Sequence, residues 1–222
     1  MPGSQKAIAA TPEIHQYLVH HGRADDPLLE ELARVTRENF PAVAHMTLPL
    51  EEAALLSFLV RLTAASAIVE VGMFTGSSTI ALARALPPGG TVLTCEIDPR
   101  VVEIGAPYLE RAGVADRVDV RVGPALDTLR ALPATAHLDL VFIDADKPGY
   151  LGYWEELVPR VRPDGLLIVD NTLFSGDVVD PEPDSKAAAV HAFNEHARAD
   201  ERVELVMVNA ADGITLARRR AV

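Results

Sequence analysis

The sequence predicts an α/β fold, a mainly parallel sheet with helices on both faces, and three observations carry that prediction. From Ile68 onward, short apolar runs alternate with helix-like stretches five times, with glycine or proline turns between them. The runs are rich in Val, Ile and Leu and nearly continuous, as strands covered on both faces require. Two of them, 138–143 and 166–170, stop abruptly at charged or amide groups: Asp144, Asp146 and Lys147 at the first, Asp170 and Asn171 at the second.

Residues 1–63 read as a helical extension ahead of a main domain over 64–222. Thr11-Pro12-Glu13 opens one helix, with Thr11 as N-cap and Pro12 at the first position. A second spans 27–39, where Leu28, Leu29, Leu32 and Val35 fall at helical spacing. A third spans 49–62 and is rich in Ala and Leu. Strands follow at 68–71, 91–96, 118–122, 138–143 and 166–170, and helices at 77–85, 100–112, 125–132 and 150–161. Turns are expected at Pro87-Pro-Gly-Gly90, Gly113, Pro133 and Pro163-Asp-Gly165. After Phe174 a polar loop over 176–184 leads to a helix over 185–199. Two closing strands, 203–208 and 214–218, meet through Ala211-Asp-Gly213, a hairpin signal. Tyr150, Tyr153 and Trp154 read as helix core.

The balance of charge narrows the function. The 222 residues carry a formal net charge of −12 and no basic stretch, which argues against a nucleic acid or an anionic membrane as partner. One cysteine, Cys95, excludes an intrachain disulfide. No run approaches a membrane span, and no basic segment precedes an apolar one near the N-terminus, so a cytoplasmic protein without a signal peptide is expected. The seven histidines show no ligand spacing and none is assigned to a metal.

Chemistry concentrates in two places. Glu70-Val-Gly72-Met-Phe-Thr-Gly76-Ser-Ser78 joins the first strand of the sheet to a helix, where backbone can approach a ligand closely. Met73 stands where a dinucleotide fingerprint needs its second glycine, so the loop argues against NAD. Glu70 is placed to hold an ammonium group; the alternative is a strand-end surface charge. Glu96 ends the second strand, where an acid accepts from ribose hydroxyls. Gly123-Pro124-Ala125 suits an adenine edge or a plain turn. These marks describe a nucleoside with an amino-acid tail, for which S-adenosylmethionine (SAM) fits better than a pyrophosphate cofactor. The second place is the pair of strand ends. Asp144, Asp170 and Asn171 present three hard oxygen ligands at one sheet edge, a set that suits Mg²⁺. Lysine occurs only at 6, 147 and 186 against 17 arginines, so Lys147 beside two aspartates is a rare choice for this chain.

Glu-Val-Gly-x-x-Thr-Gly-Ser-Ser, Phe-Ile-Asp-Ala-Asp-Lys and Ile-Val-Asp-Asn-Thr-Leu together resemble the cation-dependent class I SAM O-methyltransferases, the caffeoyl-CoA and catechol group with its bacterial members. The likeness runs from about His45 to the C-terminus. It implies a Rossmann-like seven-stranded sheet in the order 3-2-1-4-5-7-6, with the last strand of the chain antiparallel. It implies that Leu48, Glu70, Gly72, Phe74, Ser78, Glu96, Ala125 and Asp146 touch SAM. It makes Asp144, Asp170 and Asn171 ligands of Mg²⁺ or another divalent cation, and Lys147 and Asp144 catalytic. The implied reaction moves the SAM methyl to a hydroxyl of a catechol-like small molecule, in a homodimer. A Rossmann-type NAD oxidoreductase and a non-catalytic SAM-binding protein are the alternatives. The chain departs from animal catechol enzymes at Ala145-Asp146, where they carry His-Trp, and has Phe174 where bacterial relatives usually have Trp. The acidic loop 176–184 suits a small phenol better than a CoA thioester.

Overall fold

Local capping chemistry sets the helices of this computed structural model, which describes residues 11–22 and 24–221. Residues 1–10, the start of the expected helical extension, lie outside the described residues. In α1 (Pro12–His21) the Thr11 hydroxyl accepts from the Ile14 N–H. In α2 (Pro27–Asn39) the Asp26 carboxylate accepts from the amides of Leu28 and Leu29. Helix α3 (Leu50–Thr63) starts directly after Pro49. The expected alternation follows as β1 (Ala67–Val71), α4 (Ser77–Ala85), β2 (Thr91–Glu96), α5 (Pro99–Arg111), β3 (Val118–Val122), α6 (Ala125–Ala131), β4 (Leu138–Ile143), α7 (Tyr150–Leu157) and β5 (Val161–Val169). Helix α8 (Lys186–Ala199), capped by Ser185, precedes the hairpin of β6 (Val203–Val208) and β7 (Ile214–Arg219).

The strands form one seven-stranded sheet in the order β3-β2-β1-β4-β5-β7-β6. Strands β1 to β5 are parallel, and β7 runs antiparallel to both β5 and β6. This is the order the family resemblance implied. Two boundaries differ from expectation by more than one residue. Strand β5 starts at Val161, because Pro163-Asp164-Gly165 is an excursion inside the strand and not a turn before it. Leu138 faces Val161 and Leu140 faces Leu166, with Asp164 at φ +63° taking up the extra residues. Helix α7 ends at Leu157, since Pro159 has no N–H to continue the helical hydrogen bonds, and a 3₁₀ turn (Val158–Arg160) carries the chain into β5.

Alternate strand residues feed two cores. On one face Phe142, Ile68 and Leu140 pack with Leu32 of α2, Leu56 of α3 and Ile80 and Leu82 of α4. On the other, Val141 and Ile143 pack with Leu129, Trp154, Leu157 and Phe193 from α6, α7 and α8. Trp154 and Tyr150 each meet the Phe193 ring edge-on at 5.5 Å. Burying a side chain of this size stabilises by about 2–3 kcal/mol before entropy is charged. No helix among the described residues is long and apolar enough to cross a membrane.

Asp139 of β4 ties the amino ends of the strands together. Its Oδ2 accepts from the Ser66 and Ala67 amides at 2.8 and 2.9 Å, and Arg162 Nε donates to Oδ1 at 2.5 Å. Burial opposes ionisation, yet the Arg162 guanidinium and the two amides hold the carboxyl down to about 2 from an ordinary 3.8. A depressed folded-state value means stability present above the unfolded value and lost as pH falls through the folded one. Asp139→Ala is therefore expected to cost about 1–3 kcal/mol at neutral pH. In urea melts, the difference from wild type should shrink as pH falls from about 4 toward 2. A difference that holds constant with pH would refute this role.

Candidate active site

Parallel pairing brings the carboxyl ends of β1 to β5 to one sheet edge, and every strand hands its exit to the next. Gly123 donates to Glu96, Gly72 to Cys95, Asp144 to Val71 and Asp170 to Ile143, all backbone to backbone at 2.8–3.0 Å. The order reverses between β1 and β4, the place where open α/β sheets leave a crevice. All but one of the singled-out residues sit on this edge. Glu70 and Gly72 close β1, Phe74 and Ser78 lie in the loop and first turn of α4, Glu96 closes β2 and Ala125 opens α6. Asp144, Asp146 and Lys147 follow β4, and Asp170 and Asn171 follow β5. Leu48 comes from the segment before α3 and is half-buried.

Glu70 is fully buried, which rules out the surface-charge alternative. Its Oε2 accepts from the Thr79 and Thr94 hydroxyls at 2.5 and 2.6 Å, while Oε1 has no partner among the described residues. Burial pushes this carboxyl up to about 7, with the hydroxyl donors pulling against the shift. A buried oxygen left over in this way fits an ammonium group brought by a ligand. Glu96 anchors the loop: Oε2 accepts from the Phe74 amide at 2.7 Å, and Oε1 from Ile97 and Asp98. Phe74 itself sits at φ +49°.

The second cluster is built from Asp144, Lys147, Asp170 and Asn171. Lys147 Nζ donates to Asp144 Oδ1 at 3.1 Å, to Asn171 Oδ1 at 2.5 Å and to the Tyr150 hydroxyl at 2.6 Å. Asp170 is buried; its Oδ1 accepts from the Asn171 amide at 2.6 Å and its Oδ2 from Asn171 Nδ2 at 3.0 Å. The Asn171 side-chain oxygen is thereby turned toward Lys147. Burial, and then the charge of Asp144, raises the Asp170 carboxyl above its usual range. The donor set is all oxygen and already seats one cationic group, so it fits a divalent cation.

Three residues escaped the sequence reading. Tyr150 and Tyr153 are core residues as expected, but their hydroxyls reach the site. Tyr150 accepts from Lys147 and donates to the Asp170 carbonyl at 3.0 Å, and Tyr153 donates to Asp146 Oδ1 at 2.5 Å. Glu52 of α3 is buried against Asp170 and Asp144. The signal for it was Pro49: a glutamate in the third helical position after a proline cap has no cap N–H to fold back on. One histidine lies in a cluster that its spacing does not show. His196 joins Glu155 and Asp200 in the one His/Cys/Asp/Glu grouping, among the described residues, whose ligand atoms lie within 4.8 Å of one another. Arg202 bonds both of those carboxylates, however, so the group is an ion-pair network.

Comparison with known proteins gives the family. The profile of the O-methyltransferase family matches residues 19–220. Caffeoyl-CoA O-methyltransferase of Eucalyptus gunnii is 36% identical over 228 residues, 96% of this chain and 90% of its own. Catechol O-methyltransferase domain-containing protein 1 of Mus musculus is 37% identical over 206 residues, 91% of this chain and 78% of its own. Among solved structures, the O-methyltransferase TomG of Streptomyces achromogenes, in complex with SAM, superposes with a TM-score of 0.86 at 33% identity, covering 96% of this chain and 100% of that one.

Burial raises the Tyr150 phenol well above its ordinary value, so at neutral pH it keeps the proton that bridges Lys147 to the Asp170 carbonyl. Tyr150→Phe leaves the ring packing in place and removes only this bridge. It is expected to fold and to lose about 1–2 kcal/mol in urea melts. Wild-type stability in the variant would show that the bridge contributes nothing.

Proposed function

The chain belongs to the O-methyltransferase family, and we propose that it transfers the SAM methyl to a hydroxyl of a catechol-like small molecule with the help of a divalent cation. One observation carries the metal reading: the Lys147 ammonium already lies among the oxygens of Asp144 and Asn171, next to Asp170. Asp144, Asp170 and Asn171 are assigned as the residues that hold the cation.

When bound, such a cation supplies Lewis acidity and fixes two adjacent hydroxyls of the ring. The remaining work belongs to the chain. Lys147 Nζ, steered by the Tyr150 hydroxyl, takes the phenol proton or stabilises the phenolate once the proton has left to solvent. Glu70 holds the ammonium of SAM, Glu96 its ribose, and Leu48, Gly72, Phe74, Ser78, Ala125 and Asp146 the rest. Tyr153 fixes Asp146. Together they align oxygen, methyl carbon and sulfur. The loop after Phe174 carries Asp177, Asp180, Glu182 and Asp184 and no basic residue. It starts five residues beyond Asn171, and the Phe174 amide donates to the Asn171 carbonyl at 3.2 Å. Its carboxylates repel the phosphates of a CoA ester by about 1 kcal/mol after screening. A small catechol is thus the favoured substrate, although the Eucalyptus relative is named for caffeoyl-CoA. The charge and composition fit a cytoplasmic enzyme.

The assembly proposed is a two-fold homodimer. Tyr17 and Leu18 of α1 and Phe58 and Leu62 of α3 are each more than half exposed, as is Val206 of β6. Apolar surface of this extent calls for a partner, and symmetric self-association is the commonest one.

Two outcomes check these proposals. In turnover assays with SAM, chelator should abolish methylation of a neutral catechol and Mg²⁺ restore it. Asp144→Ala should lower kcat by on the order of 100-fold or more. A matched monophenol and caffeoyl-CoA should both be poorer substrates than the catechol. Full activity in chelator defeats the metal assignment, and a tenfold preference for caffeoyl-CoA defeats the reading of the loop. For the assembly, light scattering should give about twice the 23.8 kDa of one chain. A monomer at micromolar concentration would reject the dimer.

A further inference from the structure

Glu52 is a buried acid with no local reason to be there. It is only 2% exposed, and neither carboxylate oxygen has a hydrogen-bond partner among the described residues. A glutamate at the third position of a helix ordinarily bonds back to the cap N–H, but the cap of α3 is Pro49, which has none. The groups its carboxylate faces are acids: Asp170 and Asp144 at the sheet edge, and Glu51 beside it in the chain. A buried acid keeps its proton unless a cation joins it, and here the neighbours named are all acids.

We propose that Glu52 is the third carboxylate of the divalent-cation site, contributed by α3 across the crevice from the strand ends. The proposal rests on the metal-dependent reading above and goes beyond its three ligands. Position supports it: Glu52 is buried, its oxygens have no donor among the described residues, and it faces Asp170 and Asp144 from α3. Distance defines its manner of action. The oxygens of the three acids do not gather within the 4.8 Å that marks a shared ligand set, so Glu52 acts through a water on the ion. Helix α3 follows directly on Leu48 and Pro49. Glu52 thereby joins the cation site to the segment assigned to SAM.

The test is cation binding, read without turnover. Titrate Mg²⁺ by calorimetry, and Mn²⁺ by electron paramagnetic resonance, into the full-length wild-type chain and the Glu52→Gln, Glu52→Met and Asp144→Asn variants. Both Glu52 variants should bind at least about tenfold more weakly than wild type, as loss of an acid outside the ligand set does. Without cation both variants should still melt cooperatively, since each keeps the volume of the side chain. The methionine variant supplies the same readout should the glutamine variant fold poorly. Binding within twofold of wild type in either folded variant overturns the role of Glu52 while leaving the metal reading intact, provided Asp144→Asn has lost the ion. A wild-type chain that takes up no ion overturns both.

Discussion

The structure turns on one close approach, between Gly72 and the carbonyl of Asp144. A Cβ on Gly72 would lie 1.9 Å from that oxygen, and the residue sits at φ +99°. Only glycine allows β1 and β4 to leave the sheet in contact and then diverge. Because they do, the loop that carries Phe74 and Ser78 and the turn that carries Asp146 and Lys147 start side by side. The ladder Asp144 to Val71 and Asp170 to Ile143 then sets Asp170 and Asn171 next in line. The proposed cofactor and cation sites are two consequences of one backbone contact.

That contact also explains why so much negative charge collects in a buried place. Glu52, Glu70, Asp144 and Asp170 lie within one crevice, and burial raises Glu52, Glu70 and Asp170 from their ordinary values. Two buried carboxyls that face each other, such as Glu52 and Asp170, require a proton on one of them or a cation between them. Lys147, held by Tyr150, offsets them from within. The cost is borne by two dense cores, Phe142 and Ile80 on one side and Trp154 and Phe193 on the other. An arrangement so unfavourable for folding alone makes sense where cationic partners bind.

Much of this was legible because it is local. Thr11-Pro12, Asp26-Pro27 and Ser185 announce helix starts through their own hydrogen bonds, and the helix-forming pattern after each confirms them. The strands were legible from apolar runs ending in Asp144 and Asp170. The misreadings are tertiary. Pro163-Asp-Gly165 carries every mark of a turn, yet pairing with β4 resumes across it. The burial of Glu70 depends on Thr79 and Thr94, which arrive from α4 and β2. A tyrosine announces its ring but not the partner of its hydroxyl, so Tyr150 and Tyr153 read as core alone. Glu52 needs the approach of α3 to β5, which no spacing in the chain encodes.

The central claim is that the oxygens of Asp144, Asp170 and Asn171 form a cation site in which Lys147 stands beside the ion. Anomalous diffraction from a crystal soaked in Mn²⁺ tests it most directly. The account predicts one strong peak bounded by Asp144, Asp170 and Asn171, with Lys147 Nζ moved off the Asn171 oxygen. No peak there, or a sole peak at Glu155, His196 and Asp200, would contradict it.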